Sequence, residues 1–231
     1  NEIGTIQPIR LLAELAHNAG TYFHCDAAQA LGSGADILEI IEHCDAASFS
    51  GHKFYAPKGI GLMILKESWQ NNFRPLMFGG HQQNGIRPGT IPTSHVCAIA
   101  EAMQLSFANI EEESVRIRNL RDYFHQQAIA NGWPITLNGP KSANRHAGNI
   151  NLCFDGIDNQ ELLGMLQPKV AASTGSACNS GMPAPSHVLT AIGLSREQAN
   201  SSIRFSFGRF STREQIDQIV TAVTEALEKI I

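Results

Sequence analysis

The sequence has no Cys-x-x-Cys pair, and its five cysteines (Cys25, Cys44, Cys97, Cys153 and Cys178) are odd in number and scattered. That spacing argues against a zinc site and against a disulfide framework. Reduced thiols in a cytosol-like compartment are the expectation. No run is rich in lysine or arginine, and the formal net charge is -4. Nothing in the chain therefore suits a nucleic-acid backbone or an anionic membrane surface. No apolar stretch approaches the ~20 residues that a membrane-spanning helix needs. No secretory pattern opens the chain, so a cytoplasmic protein is expected. Nine histidines occur, but none pair at ligand spacing on a clear helix face, and no resident metal is expected. Internal repeats and low-complexity tracts are missing too. The chain opens on Asn-Glu-Ile-Gly without an initiator methionine and reads as a piece of something longer.

What is present is 231 residues, 43% of them hydrophobic, enough for one large domain or two small ones with their own cores. The first third alternates helix and strand. Residues 8–18 carry Ile9, Leu11, Leu12, Leu15 and Ala16 at helical spacing, with Gly20 as a stop. Residues 21–25, 46–50 and 61–65 read as strands and 37–43 as a helix. That order predicts an α/β sheet. Residues 73–92 hold four glycines and three prolines and predict a long functional loop. Residues 93–130 are helical with a break near Asn109, which divides the chain into 1–109 and 110–231. Beyond the break come strands at 135–137, 149–154, 169–173 and 202–207, and helices at 159–166, from Ser186, and at 212–231. Residues 174–185 form a small-residue loop, and Thr212 with Gln215 makes a capping box for the last helix.

Four places carry chemistry. Asp26 ends an apolar strand in His24-Cys25-Asp26-Ala27-Ala28-Gln29. It reads as a helix cap or as a carboxylate facing the ring nitrogen of a pyridine cofactor. Lys53 follows Ser50-Gly51-His52 at a second strand end. A lysine there is a solvated surface residue, or an amine that captures an aldehyde beside phosphate donors. Asp26 and Lys53 both lie beyond the carboxyl ends of strands, where open α/β sheets bind ligands. Cys178 sits in Thr174-Gly175-Ser176-Ala177-Cys178-Asn179-Ser180-Gly181, surroundings that suit a mobile nucleophile better than a buried thiol. Arg204 lies in an apolar strand and needs an anion, either an internal acid or a substrate carboxylate.

Taken together, the stretches NEIG, HCDAAQ, SFSGHKFYAPKGIG, GGHQQNGIRPGT, STGSACNSG, PSHVLTAIGL and SSIRFSFGRF resemble the cysteine desulfurases of the NifS/IscS type. These are fold-type I pyridoxal-phosphate enzymes of the class-V aminotransferase family. The resemblance implies an α/β chain made of the C-terminal part of a large, mostly parallel-sheet domain and a smaller α+β domain carrying the catalytic cysteine. It implies that Lys53 holds pyridoxal 5'-phosphate, Asp26 pairs with its ring nitrogen, and Gln29 bonds its phenolic oxygen. Ser50, Gly51 and His52 would hold the phosphate, and Thr90 would reach the phosphate of the other subunit of a homodimer. Asn1 would lie near ring and substrate, and Arg204 would bind the substrate carboxylate. Cys178 would take sulfur from L-cysteine as a persulfide, releasing L-alanine, and Lys53 would carry the proton. The persulfide would pass to an iron–sulfur scaffold or a tRNA-thiolation relay, and Cys178 would at most ligate a cluster transiently. The family's ring-stacking histidine and its phosphate-gripping turn belong to an upstream segment and have no match here. The 231 residues alone are expected to bind the cofactor poorly and turn over little cysteine. The alternatives are a selenocysteine lyase, an aminotransferase, or an inactive module that only binds partners.

Overall fold

The computed structural model describes residues 1–32, 34–70, 72–141, 144–174 and 185–231. They form two compact units, Gln7–Ile110 and a second made of Asn1–Ile6 with Glu111–Ile231. The division falls beside the one read from the sequence, except that the first six residues join the C-terminal unit.

In the unit Gln7–Ile110, helix α1 (Ile9–Asn18) precedes strand β1 (His24–Asp26), helix α2 (Ile37–His43) and strand β2 (Ala46–Ser50). Strand β3 (Gly61–Leu65), the short helix α3 (Glu67–Gln70) and helix α4 (Thr93–Ala108) follow. Asp36 starts α2 by accepting the Glu39 N–H at 3.0 Å, leaving Ile37 and Ile40 to face inward. Strand β2 lies in the middle, parallel to β1 and antiparallel to β3. Its Ala46 is buried, and Ala47 and Phe49 are buried in a core shared with Cys25, Phe54 and Ile99. Asp45 precedes β2 and accepts from the Phe23 N–H and from His17 Nε2, both at 2.8 Å. Burial opposes its charge, but those two partners outweigh it and hold the carboxyl below its usual range. Strand β1 is shorter than the expected 21–25, because residues 21–23 precede its pairing with β2. The glycine- and proline-rich stretch is irregular apart from a short 3-10 turn at Gln82–Gly85, and it presents Leu76 and Phe78 with over nine-tenths of their surface exposed.

Helix α5 (Ile110–Ala130) starts after the break at Asn109. The second unit continues with β4 (Ile135–Asn138), β5 (Asn149–Phe154), α6 (Asn159–Leu166), α7 (His187–Ala191), α8 (Arg196–Asn200), β6 (Ser202–Ser206) and α9 (Arg213–Ile230). Its sheet runs β4-β5-β6, antiparallel throughout, with every residue of the central β5 buried. Helix α9 begins at Thr212 with the capping box formed as expected, and buries Ile216, Val220, Val223 and Leu227 along one face. The opening segment pairs against this unit: His146 N–H donates to the Gly4 carbonyl at 2.7 Å and Ile6 N–H to the Asn144 carbonyl at 2.8 Å.

Two expectations fail. Residues 169–173 make no strand; only Ser173 pairs, in an isolated bridge with Arg204. The helix expected from Ser186 ends at Ala191. Gly193, at φ +96°, turns the chain into a separate helix α8 that Ser195 caps.

Candidate functional site

Within the unit Gln7–Ile110, six expected residues gather at one end of the parallel pair. Asp26 is the last residue of β1, opposite Ser48 in β2. Its side chain is exposed, and Oδ1 accepts the Ala28 N–H at 3.0 Å. That is a local Asx turn, not a helix cap. It fixes one carboxylate oxygen and leaves Oδ2 without a hydrogen bond among the described residues. Gln29 follows in the same turn, half-buried. Strand β2 ends at Ser50, and Gly51–Phe54 wind into one 3-10 turn that carries His52 and Lys53 outward while Phe54 anchors it in the core. Position 51 admits only glycine: a Cβ there would stand 2.7 Å from the Ile60 carbonyl oxygen. The Gly51 N–H already donates to that same oxygen at 3.1 Å. Gly51 therefore contributes closeness of backbone more than a spare donor. Lys53 and His52 are exposed, and among the described residues their side chains make no hydrogen bond or ion pair. Thr90 is exposed at the end of the irregular stretch and is not bonded to any of these groups.

The second unit brings Asn1 and Arg204 together. Arg204 is half-buried on β6, and its guanidinium donates to the Asn1 carbonyl at 3.3 Å. Its buried Nε has no hydrogen-bond partner among the described residues. No acid among the described residues pairs with it, so the internal salt bridge is not made. A planar cation with a spare, desolvated N–H suits a carboxylate. Beneath it lies a polar network that reasoning from sequence did not find. Asn149 Nδ2 donates to the Asn1 carbonyl at 3.1 Å and to the Glu2 carbonyl at 3.3 Å, and Asn151 Nδ2 to the Glu2 carbonyl at 3.3 Å. The Glu2 carboxylate accepts from Ser186 Oγ. The signal that could have revealed it is a Glu embedded in the opening Asn-Glu-Ile-Gly, with alternate asparagines along an otherwise apolar strand.

Cys178 lies outside the described residues. Among the other cysteines, Cys25, Cys44 and Cys153 are buried. Burial raises the Cys25 thiol, pushes Cys44 up to about 12 and pushes Cys153 up to about 11. Such thiols stay protonated and are poor nucleophiles. Among the described residues no group of three His, Cys, Asp or Glu could hold a metal ion. No helix there is long and apolar enough to cross a membrane.

Residues 1–219 match the family model for aminotransferase class-V. The chain is 39% identical over 232 residues to cysteine desulfurase IscS of Ehrlichia chaffeensis, covering 100% of this chain and 56% of that relative. Among solved structures it resembles a NifS-like protein at a TM-score of 0.86 and 28% identity, over 99% of this chain and 59% of the other. It also resembles SspA in complex with cysteine, at a TM-score of 0.69 and 31% identity, over 91% of this chain and 57% of the other. The chain thus spans little more than half the length of the relatives it matches.

Proposed function

From the premise that this chain belongs to the class-V aminotransferase family, we propose that it is the larger part of a pyridoxal-phosphate-dependent cysteine desulfurase that takes sulfur from L-cysteine. The observation that carries the reading is the pair of strand ends in which an exposed carboxylate, Asp26, and an exposed, unpartnered amine, Lys53, leave adjacent parallel strands on the same side. The local groups fit the cofactor: among the described residues one oxygen of Asp26 lacks a partner and the Lys53 amine is unengaged, and Gly51 adds no side chain to the turn. When bound, pyridoxal phosphate supplies an aldehyde that condenses with amines and a ring that withdraws electrons.

Lys53 would hold the cofactor through its aldehyde, and its Nζ would carry a proton. Asp26 would keep a proton on the ring nitrogen, and Gln29 would donate to the phenolic oxygen. Ser50 and His52, with Gly51 between them, would hold the phosphate, and Thr90 would reach the phosphate of a second copy in a homodimer. Arg204 binds the substrate carboxylate in a fork, with Asn1 beside it. The Cys178 thiolate receives the substrate sulfur as a persulfide, leaving L-alanine. It then hands the sulfur to an acceptor, either an iron–sulfur scaffold or a relay protein, in the cytoplasm, where thiols stay reduced. Support for the substrate comes from the relative whose structure was solved with cysteine, and for the sulfur chemistry from the IscS relative.

The test is L-alanine release from L-cysteine by the full-length protein. The wild type is expected to turn over. Lys53→Ala is expected to lose both alanine release and cofactor absorbance, and Cys178→Ala to keep the absorbance and lose cysteine turnover. Unimpaired cysteine turnover by Cys178→Ala would refute the assignment and point to a lyase or aminotransferase.

A further inference from the structure

Resting on that reading, we propose that Glu2 is a positioning residue: its buried carboxylate holds Ser186. It thereby ties the segment following Cys178 to the same stretch of backbone that holds the substrate-binding Arg204. Glu2 and Ser186 are each only 4% exposed. The Ser186 hydroxyl donates to Glu2 Oε2 and accepts the Leu189 N–H at 3.3 Å, so one oxygen joins the carboxylate to the first turn of α7. No cation among the described residues lies within ion-pair distance of Glu2. A carboxylate taken out of water in this way is costly unless its donor is strong and fixed. The backbone on either side of that side chain is equally fixed, since the Glu2 carbonyl accepts from Asn149 and Asn151 and the Asn1 carbonyl from Asn149 and Arg204.

On the other side of Cys178, the described chain ends beside Arg204 itself. Ser173 N–H donates to the Arg204 carbonyl at 3.1 Å, and Arg204 N–H donates to the Ser173 carbonyl at 2.7 Å. Ser173 is thus bonded to Arg204 directly through backbone, and Ser186 to Glu2, whose neighbour Asn1 accepts from Arg204 through its carbonyl. The Glu2 bond sets where Ser186 stands, and the asparagines set where the substrate fork stands. The two can be separated by mutation.

The test uses the full-length enzyme loaded with pyridoxal phosphate and two readouts. Hydrogen exchange at α7 reads the tie itself and needs no turnover. Glu2→Ala and Ser186→Ala are each expected to speed it about tenfold or more, and unchanged exchange in Ser186→Ala would overturn the inference. Single-turnover alanine release is expected to fall about 10²-fold in each variant, with the Kd for L-cysteine, read from cofactor absorbance, holding within about threefold. The double variant is expected to be no slower than either single one. Glu2→Gln, which keeps an acceptor for the hydroxyl, is expected to recover most of the rate. A loss of cysteine binding that matches the loss of rate would show a merely structural role and overturn the proposal. Should Glu2→Ala fail to fold, Ser186→Ala removes a single oxygen and decides the matter alone. A wild-type enzyme that releases no alanine would sink the desulfurase reading, while exchange at α7 still decides whether Glu2 holds Ser186.

Discussion

The two units stabilise themselves in opposite ways. The second keeps Phe124, Leu152, Ile203 and Val223 wholly out of water, and its deepest polar groups, Asn151 and Ser202, are each bonded to Asn138. The unit Gln7–Ile110 closes a smaller core and leaves Leu11, Leu15 and Leu38 of α1 and α2 largely exposed, with Leu76 and Phe78 beyond them. The groups proposed to act on cofactor and substrate divide along the same line. Lys53, His52 and Asp26 stand exposed and available on the less enclosed unit, whereas Arg204 and Asn1 are held by a bonded network in the more enclosed one. A group that must capture and release a ligand is better left without protein partners; a group that must only orient one is better locked.

The largest effect should come from the enclosed core. Phe124 meets Phe205 at 4.9 Å, Phe207 at 5.4 Å and Trp133 at 5.8 Å between ring centroids. Phe124→Ala is expected to cost about 3–5 kcal/mol, read from urea unfolding. A cost under about 1 kcal/mol would mean the aromatic cluster is not what holds this unit.

Next in size is a pH effect confined to the same unit. His146 is pushed down to about 4 by burial, from an ordinary value of 6.5. The unfolded chain therefore takes up its proton first as pH falls, and the folded form resists. Stability is expected to decline by about 2–3 kcal/mol between neutrality and about pH 4.5. His146→Gln should flatten that decline. An identical decline in the variant would assign the effect elsewhere.

The smallest effect belongs to the open face. Leu38→Ser on α2 is expected to change stability by no more than about 0.5 kcal/mol. A loss as large as that of Phe124→Ala would erase the contrast between the units.

Local pattern made much of this legible. Helix α2, strands β2, β3 and β5, helix α6 and the break at Asn109 coincide with the expectation, because period, caps and breakers are written in neighbouring residues. The strand ends bearing Asp26 and Lys53 were equally readable, since each motif is contiguous. What escaped depends on pairing across long separations. The failed strand at 169–173 has the right composition but only one residue with a partner. The Glu2–Ser186 bond joins residues 184 positions apart, and no local feature of either residue announces the other. The expectation for Cys178 falls outside the described residues.

The seating of residues 1–6 on the C-terminal unit has a consequence for biosynthesis. The contact between Arg204 and Asn1 spans 203 positions, so a ribosome releases one partner long before it makes the other. The Gln7–Ile110 stretch can acquire its internal contacts first, while the leading hexapeptide waits unpaired for β5, α7 and β6 to emerge. Residues 1–6 are thus made before the Gln7–Ile110 stretch yet find their partners after it, and the Arg204–Asn1 contact forms only once β6 has been made.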